Sequence, residues 1–122
     1  MATNIGPKIG IDGEAEYRKQ INNIIQQAKT LDSEMRAVTS SFTKSTSAEE
    51  KSAATSKILA QQIEVQKQRV QELSSMLEKS AQKYGENDTR TLKWKEAVNK
   101  ATAELNKMEN ELSDAADSTD DL

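Results

Sequence analysis

The chain contains no cysteine and no histidine, and among its 122 residues there are one proline, four glycines and a single tryptophan. Each scarcity excludes a class of chemistry. Without cysteine there are no disulfides, thiolate metal sites or cysteine nucleophiles. Without histidine the commonest general base and metal ligand is gone, and what remains is Ser-Lys pairs or carboxylate dyads, none of which stands out. Gly6, Gly10 and Gly13 lack phosphate-loop spacing, and no Gly-Lys-Ser/Thr follows them. No stretch approaches the roughly 20 consecutive apolar residues of a membrane span, and no basic segment followed by an apolar run opens the chain. The formal net charge of -3 is made of interspersed signs, so no basic face is available for a run of phosphates. These absences predict a protein that is not an enzyme, needs no cofactor or metal, has no specific nucleic-acid or membrane partner, and is made soluble in a cytoplasm.

What is present favours helix. Aromatics are 3% of the chain and hydrophobic residues 34%, against 30% charged, so the apolar material suffices for edges between helices but not for a broad sandwich interior. Glu, Lys, Gln, Ala and Leu dominate the middle and end, and these unbranched side chains lose little rotamer freedom in a helix. The expected fold class is all-α: elongated helices with heptad seams, forming a helical hairpin or a coiled-coil bundle, behind a short N-terminal extended segment.

Residues 1–13 carry Gly6, Pro7, Gly10 and Gly13 with Ile5, Ile9 and Ile11 among them. This is an arm, and Lys8-Ile9-Gly10-Ile11 has the alternation of a short strand that would need a partner to form. The period then becomes helical over 14–43. Tyr17, Ile21, Ile24, Ala28, Leu31, Met35, Val38 and Phe42 are spaced alternately four and three apart, which is a heptad seam. Glu14 to Arg18 and Asp32 to Arg36 are helix-supporting pairs. The hydroxyl cluster from Thr39 to Ser47 weakens a helix and predicts a break.

Ser47-Ala48-Glu49-Glu50 matches a capping box and starts a second helix over 47–84. Its seam is Leu59, Ile63, Val70, Leu73, Leu77 and Tyr84, with polar Gln66 at one heptad position. Gln66 either fixes register from a buried site or faces water. Ile58, Val65 and Met76 widen the stripe and imply more than one neighbour. Gly85 is placed where a chain turns left-handed to leave a helix. A third helix over 88–113, capped by Asn87 or Asp88, has the seam Trp94, Val98, Ala101, Leu105, Met108 and Leu112. Trp94 reads as a core anchor, and Asn87-Asp88-Thr89 as a cap rather than a glycosylation acceptor. The short connection makes a hairpin of helices two and three the default. A continuous rod would need Gly85 inside a helix, at about 1 kcal/mol relative to Ala. Residues 114–122 are an acidic stretch expected to fray.

The order Ile9-Gly10-Ile11-Asp12-Gly13-Glu14-Ala15-Glu16-Tyr17-Arg18-Lys19, then Leu31-Asp32-Ser33-Glu34-Met35 with Phe42, resembles the N-terminal region of tail tape measure proteins of siphophages and prophages of Gram-positive hosts. Lys83-Tyr84-Gly85-Glu86-Asn87-Asp88-Thr89-Arg90-Thr91, leading to Met108-Glu109-Asn110-Glu111-Leu112, is similar to that family too. The resemblance implies a structural protein lining the tail tube and setting its length, since a helix rises by a fixed increment per residue. It further implies a virion location in the tail lumen after assembly in the host cytoplasm. The family is much longer, so the chain reads as an N-terminal fragment. Expected partners are copies of itself, with a parallel trimer as the expected assembly, and tail tube, tail terminator or tail assembly chaperone proteins. The competing reading is an autonomous coiled-coil or helical-hairpin adaptor.

Overall fold

A computed structural model describes the backbone of residues 13–120 and the side chains of residues 13–115. The expected N-terminal strand lies outside the described residues. Three helices account for nearly all of the rest: α1 (Glu14–Ser40), α2 (Ala48–Tyr84) and α3 (Thr89–Asp120). The fold is all-α, and no strand occurs among the described residues.

Each helix end has a local cause. Gly13 opens α1 in the left-handed conformation, φ 88°, while its carbonyl accepts the first helical hydrogen bond from Tyr17 N–H at 2.8 Å. Glu14 and Glu16 occupy the first turn, where a negative charge suits the helix dipole, and Arg18 pairs with Glu14 at 2.9 Å. The helix stops at Ser40, short of the expected 43, because its last turns are closed by their own hydroxyls. Thr39 Oγ1 donates to the Met35 carbonyl at 3.0 Å, Ser40 Oγ to Ala37 at 2.8 Å and Ser41 Oγ to Val38 at 2.6 Å. Phe42, assigned from the sequence to the α1 seam, therefore sits beyond the helix, half-buried.

Ser47 and Glu50 form the reciprocal capping box, Glu50 N–H to Ser47 Oγ at 3.0 Å and Ser47 N–H to Glu50 Oε1 at 3.1 Å. The Ser47 backbone N–H, and after it the Ser47 hydroxyl, hold the Glu50 carboxyl below its ordinary range. The 37 residues of α2 then rise about 55 Å at roughly 1.5 Å each. Gly85 ends the helix at φ 97° and ψ 154°. The positive φ matches expectation, but the ψ is extended rather than left-handed helical, a region that only glycine occupies without strain. Asp88 caps α3, its carboxylate accepting Arg90 N–H at 2.9 Å and its carbonyl accepting Leu92 N–H at 2.9 Å. The α3 backbone stays helical past Ser113 to Asp120, where fraying was expected. Alanines at 115 and 116 favour helix there, and Ser52 Oγ on α2 donates to the Ala115 carbonyl at 3.4 Å.

The helices run antiparallel in sequence, with α2 as the shared spine. Ser80 faces Thr91, Gln66 faces Ala101 and Ser52 faces Ala115 along the α2–α3 contact. On another face of α2, Gln62 Nε2 donates to Asp32 Oδ1 of α1 at 2.9 Å, so Asp32 serves a neighbouring helix rather than Arg36 along its own. Both α1 and α3 pack on α2, but their backbones do not approach each other. The core lies toward the α2–α3 turn and joins Tyr17, Ile21, Ile24, Val65, Leu73, Met76, Trp94 and Ala101.

Candidate interaction surfaces

Two heptad edges on α2, offset by one residue, position everything else. Residues 59, 63, 66, 70, 73, 77, 80 and 84 form the edge that α3 covers, and Ile58, Gln62, Val65, Arg69, Glu72 and Met76 form the edge toward α1. The one-residue offset turns the second edge by about 100° around the helix, so one spine serves two neighbours. The stripe widened by Ile58, Val65 and Met76 has this meaning: all three are buried, Met76 to 2% exposure.

The seam residues fall into two groups. Tyr17, Ile21, Ile24, Leu59, Ile63, Leu73 and Trp94 are buried within the chain. Leu31, Met35, Val38, Phe42, Val70, Leu77, Tyr84, Val98, Leu105, Met108 and Leu112 are half-buried. Leu31 packs against the Trp94 core, whereas Met35 and Val38 of α1 and Leu105, Met108 and Leu112 of α3 lie outside that cluster. Near the turn the two outer helices meet, since the Tyr17 and Trp94 rings pack edge to face with centroids 5.1 Å apart at 84°. Between α1 and α3 a groove floored by α2 opens from this contact, with a volume of about 350 Å³ beside Ile21, Leu73 and Ala101 and a rim carrying Arg69, Lys100 and Glu104.

Polar groups buried inside the bundle hold its register. Gln66, 7% exposed, donates from Nε2 to the Ala101 carbonyl at 2.9 Å, which decides between its two sequence readings in favour of a buried register residue. The Ser80 and Thr91 hydroxyls, fully buried, share a hydrogen bond at 2.9 Å. Sequence reasoning passed over this pair, although Ser80 is three residues past Leu77 and Thr91 three before Trp94. The signal lay in the period and not in the residue type. The turn has its own assembly: the Arg90 guanidinium lies 3.4 Å from the centroid of the Tyr84 ring and pairs with Asp88 through Nε at 2.9 Å and Nη2 at 3.0 Å. Hydrogen bonds from the Arg90 side chain and backbone bring the Asp88 carboxyl down to about 2, so the pair is ionised throughout the physiological range.

Compared with protein-family models, curated proteins and solved structures, the chain matches none. The reading of these surfaces therefore rests on their own geometry.

No group of three or more acidic side chains placed to hold a metal ion occurs among the described residues, and no helix there is long and apolar enough to cross a membrane. The shifted titrating groups are each accounted for by a cap, a turn or burial. Tyr17 is the buried case: desolvation raises its phenol above the ordinary 10.0, with Arg69 opposing in part. The native state thus holds this proton more tightly than the unfolded chain does. The stability it contributes is complete below about pH 10 and is lost as pH rises through the folded value. Tyr17→Phe is expected to flatten the alkaline end of the stability curve, measured as urea midpoints from pH 8 to 12. Identical alkaline slopes for both proteins would contradict this account of the phenol.

Proposed function

We propose that the chain is the N-terminal part of a tail tape measure protein of a siphophage or prophage, a structural and non-catalytic component. It works by burying helix edges against copies of itself and against tail tube, tail terminator or tail assembly chaperone proteins. In this reading it acts in the host cytoplasm during assembly and resides afterwards in the tail lumen. The observation that carries the reading is the half-burial of Met35, Val38, Leu105, Met108 and Leu112, apolar residues that α2 leaves partly exposed and that further helices can cover. The Tyr84-Gly85-Glu86-Asn87-Asp88 connection adds support. This connection, one of the two specific parts of the resemblance beside the Ile9–Gly13 opening, is a built turn with Arg90 stacked on Tyr84 and paired to Asp88.

The autonomous adaptor is the second reading, favoured by the extent to which the helices bury their edges within one chain. Co-expression of the tagged chain with siphophage tail tube, tail terminator and tail assembly chaperone proteins separates the two. Copurification of one of these, lost in Met35→Asp or Leu105→Asp, is the expected result. Failure of all three to copurify with a chain that is folded by circular dichroism would overturn the tail reading and leave the adaptor.

A further inference from the structure

A helical hairpin needs no phase relation between its two helices, yet here the phase is kept. The α2 edge runs 59, 63, 66, 70, 73, 77, 80, 84, alternately four and three apart, and the α3 edge runs 91, 94, 98, 101, 105, 108, 112, 115 in the same alternation. Adding one position, Asn87, joins them without a stutter: 84, 87, 91, 94. If α2 and α3 were straightened into one helix, the two edges would form one uninterrupted heptad stripe from Leu59 to Ala115. The backbone departs from that helix only over the four residues 85–88.

The hydrogen bonds between α2 and α3 add a second regularity. Ser80–Thr91 is centred between residues 85 and 86, and Gln66–Ala101 and Ser52–Ala115 between residues 83 and 84, so all three pairs are centred within two residues of Gly85. Two straightened chains crossing antiparallel at that point would form each of these pairs again, now between molecules and twice over. The Tyr17–Trp94 ring contact would also pass between copies, because α1 stays on its own α2 while α3 is exchanged.

We infer that α2 and α3 exchange between two copies of this chain, the hairpin opening at Gly85 into a continuous rod that pairs antiparallel with a second rod. This inference rests on the proposed self-association and specifies its form. The occupant is a second copy because only the same sequence presents the Ala101 carbonyl and the Thr91 hydroxyl at the required positions. Two antiparallel copies replace the parallel trimer expected from sequence, since a parallel assembly would set Gln66 against Gln66 and Trp94 against Trp94 and abandon every pair observed. Gly85 and the Tyr84–Arg90–Asp88 assembly hold the closed form, while the shortness of the four-residue connection favours exchange. Opening converts a hairpin about 55 Å long into a rod of about 110 Å over residues 48–120, at roughly 1.5 Å per residue.

The absence of cysteine makes the test direct. Ser80→Cys with Thr91→Cys places thiols where the two hydroxyls now meet, so a mild oxidant links the chain to itself in the hairpin and to its partner in the exchanged dimer. Into this background go Gly85→Ala, which cannot adopt φ 97° without strain and is a better helix former, and separately Asn87→Leu, which completes the stripe at an exposed position. Each is expected to tighten dimerisation at least tenfold by light scattering and to yield covalent dimers on a non-reducing gel. Insertion of two glycines after Gly85 is expected to restore the intramolecular link. Dimers giving only intramolecular links would overturn the exchange while leaving self-association standing. Helical monomers for both variants at millimolar concentration would overturn both. Should Gly85→Ala fail to fold, Asn87→Leu, with the native glycine, decides the matter alone.

Discussion

Trp94→Ala is expected to cost about 3–5 kcal/mol, enough to remove most of the stability of a domain in the usual range of about 5–15 kcal/mol. The indole is 1% exposed and is the largest fully buried side chain. It is also where α1, α2 and α3 converge, because the Tyr17 ring rests edge-on against it and Leu73 and Met76 of α2 belong to the same cluster. Truncation empties that junction and removes the ring contact that joins the outer helices. The Trp94 Nε1–H finds no hydrogen-bond partner among the described residues. A buried unpaired donor is itself destabilising. Trp94→Phe should therefore cost less than half as much as the alanine variant, since it keeps a ring and discards the orphaned donor. Urea unfolding followed by circular dichroism at 222 nm measures both. Equal costs for the two would show that the indole acts through something other than its ring.

Leu73→Asp should be at least as severe, at about 4 kcal/mol or more. It trades a buried apolar contact for a charge with no partner. Leu73 is 7% exposed, on the α2 edge that faces α3 and within the core cluster. The contrast is Leu92, which is 46% exposed and lies on the outer face of the first turn of α3. Leu92→Asp should stay within about 0.5 kcal/mol of the parent, and an acidic side chain near that helix start is favourable. Thermal melts of the two variants side by side make the comparison. If they lost similar stability, hydrophobicity in general and not the heptad edge would hold the helices together.

The architecture was legible in the sequence wherever a periodic edge or a local cap determined it. The capping box at Ser47 needed only Glu50 three residues on, and Glu14–Arg18 needed only helical spacing, the pair forming at 2.9 Å. Trp94 as an anchor and a second neighbour for α2 followed from the position of apolar side chains on a helix. Other features depend on groups far apart in the chain. Asp32 turns to Gln62, thirty residues away, rather than to Arg36 one turn along. The end of α1 at Ser40 was visible only as a weakening, because a run of hydroxyls does not say which one takes the last carbonyl. The Ser80–Thr91 hydrogen bond escaped notice because small hydroxyl residues at heptad positions look like gaps in a seam until the facing helix is in place. The conformation of Gly85 was half legible: the need for a positive φ could be read, whereas the extended ψ follows from the direction in which α3 must return along α2.

The groove between α1 and α3 was not legible at all. Its existence depends on how far two helices diverge while sharing one spine, and the spacing of apolar residues along each helix contains no such information. Its Arg69, Lys100 and Glu104 rim reads in sequence as ordinary solvated charge.

The joining of all three helices at Trp94 is tested most directly by proton NMR. With one tryptophan and two tyrosines in the chain, cross-peaks from the indole are readily assigned. Strong ring-to-ring nuclear Overhauser effects between Trp94 and Tyr17, together with effects from the indole to Leu73 and Met76, are the expected result. An indole that shows effects to α2 residues alone, with none to Tyr17, would mean that α1 does not complete the core, and the three-helix arrangement around α2 would be wrong.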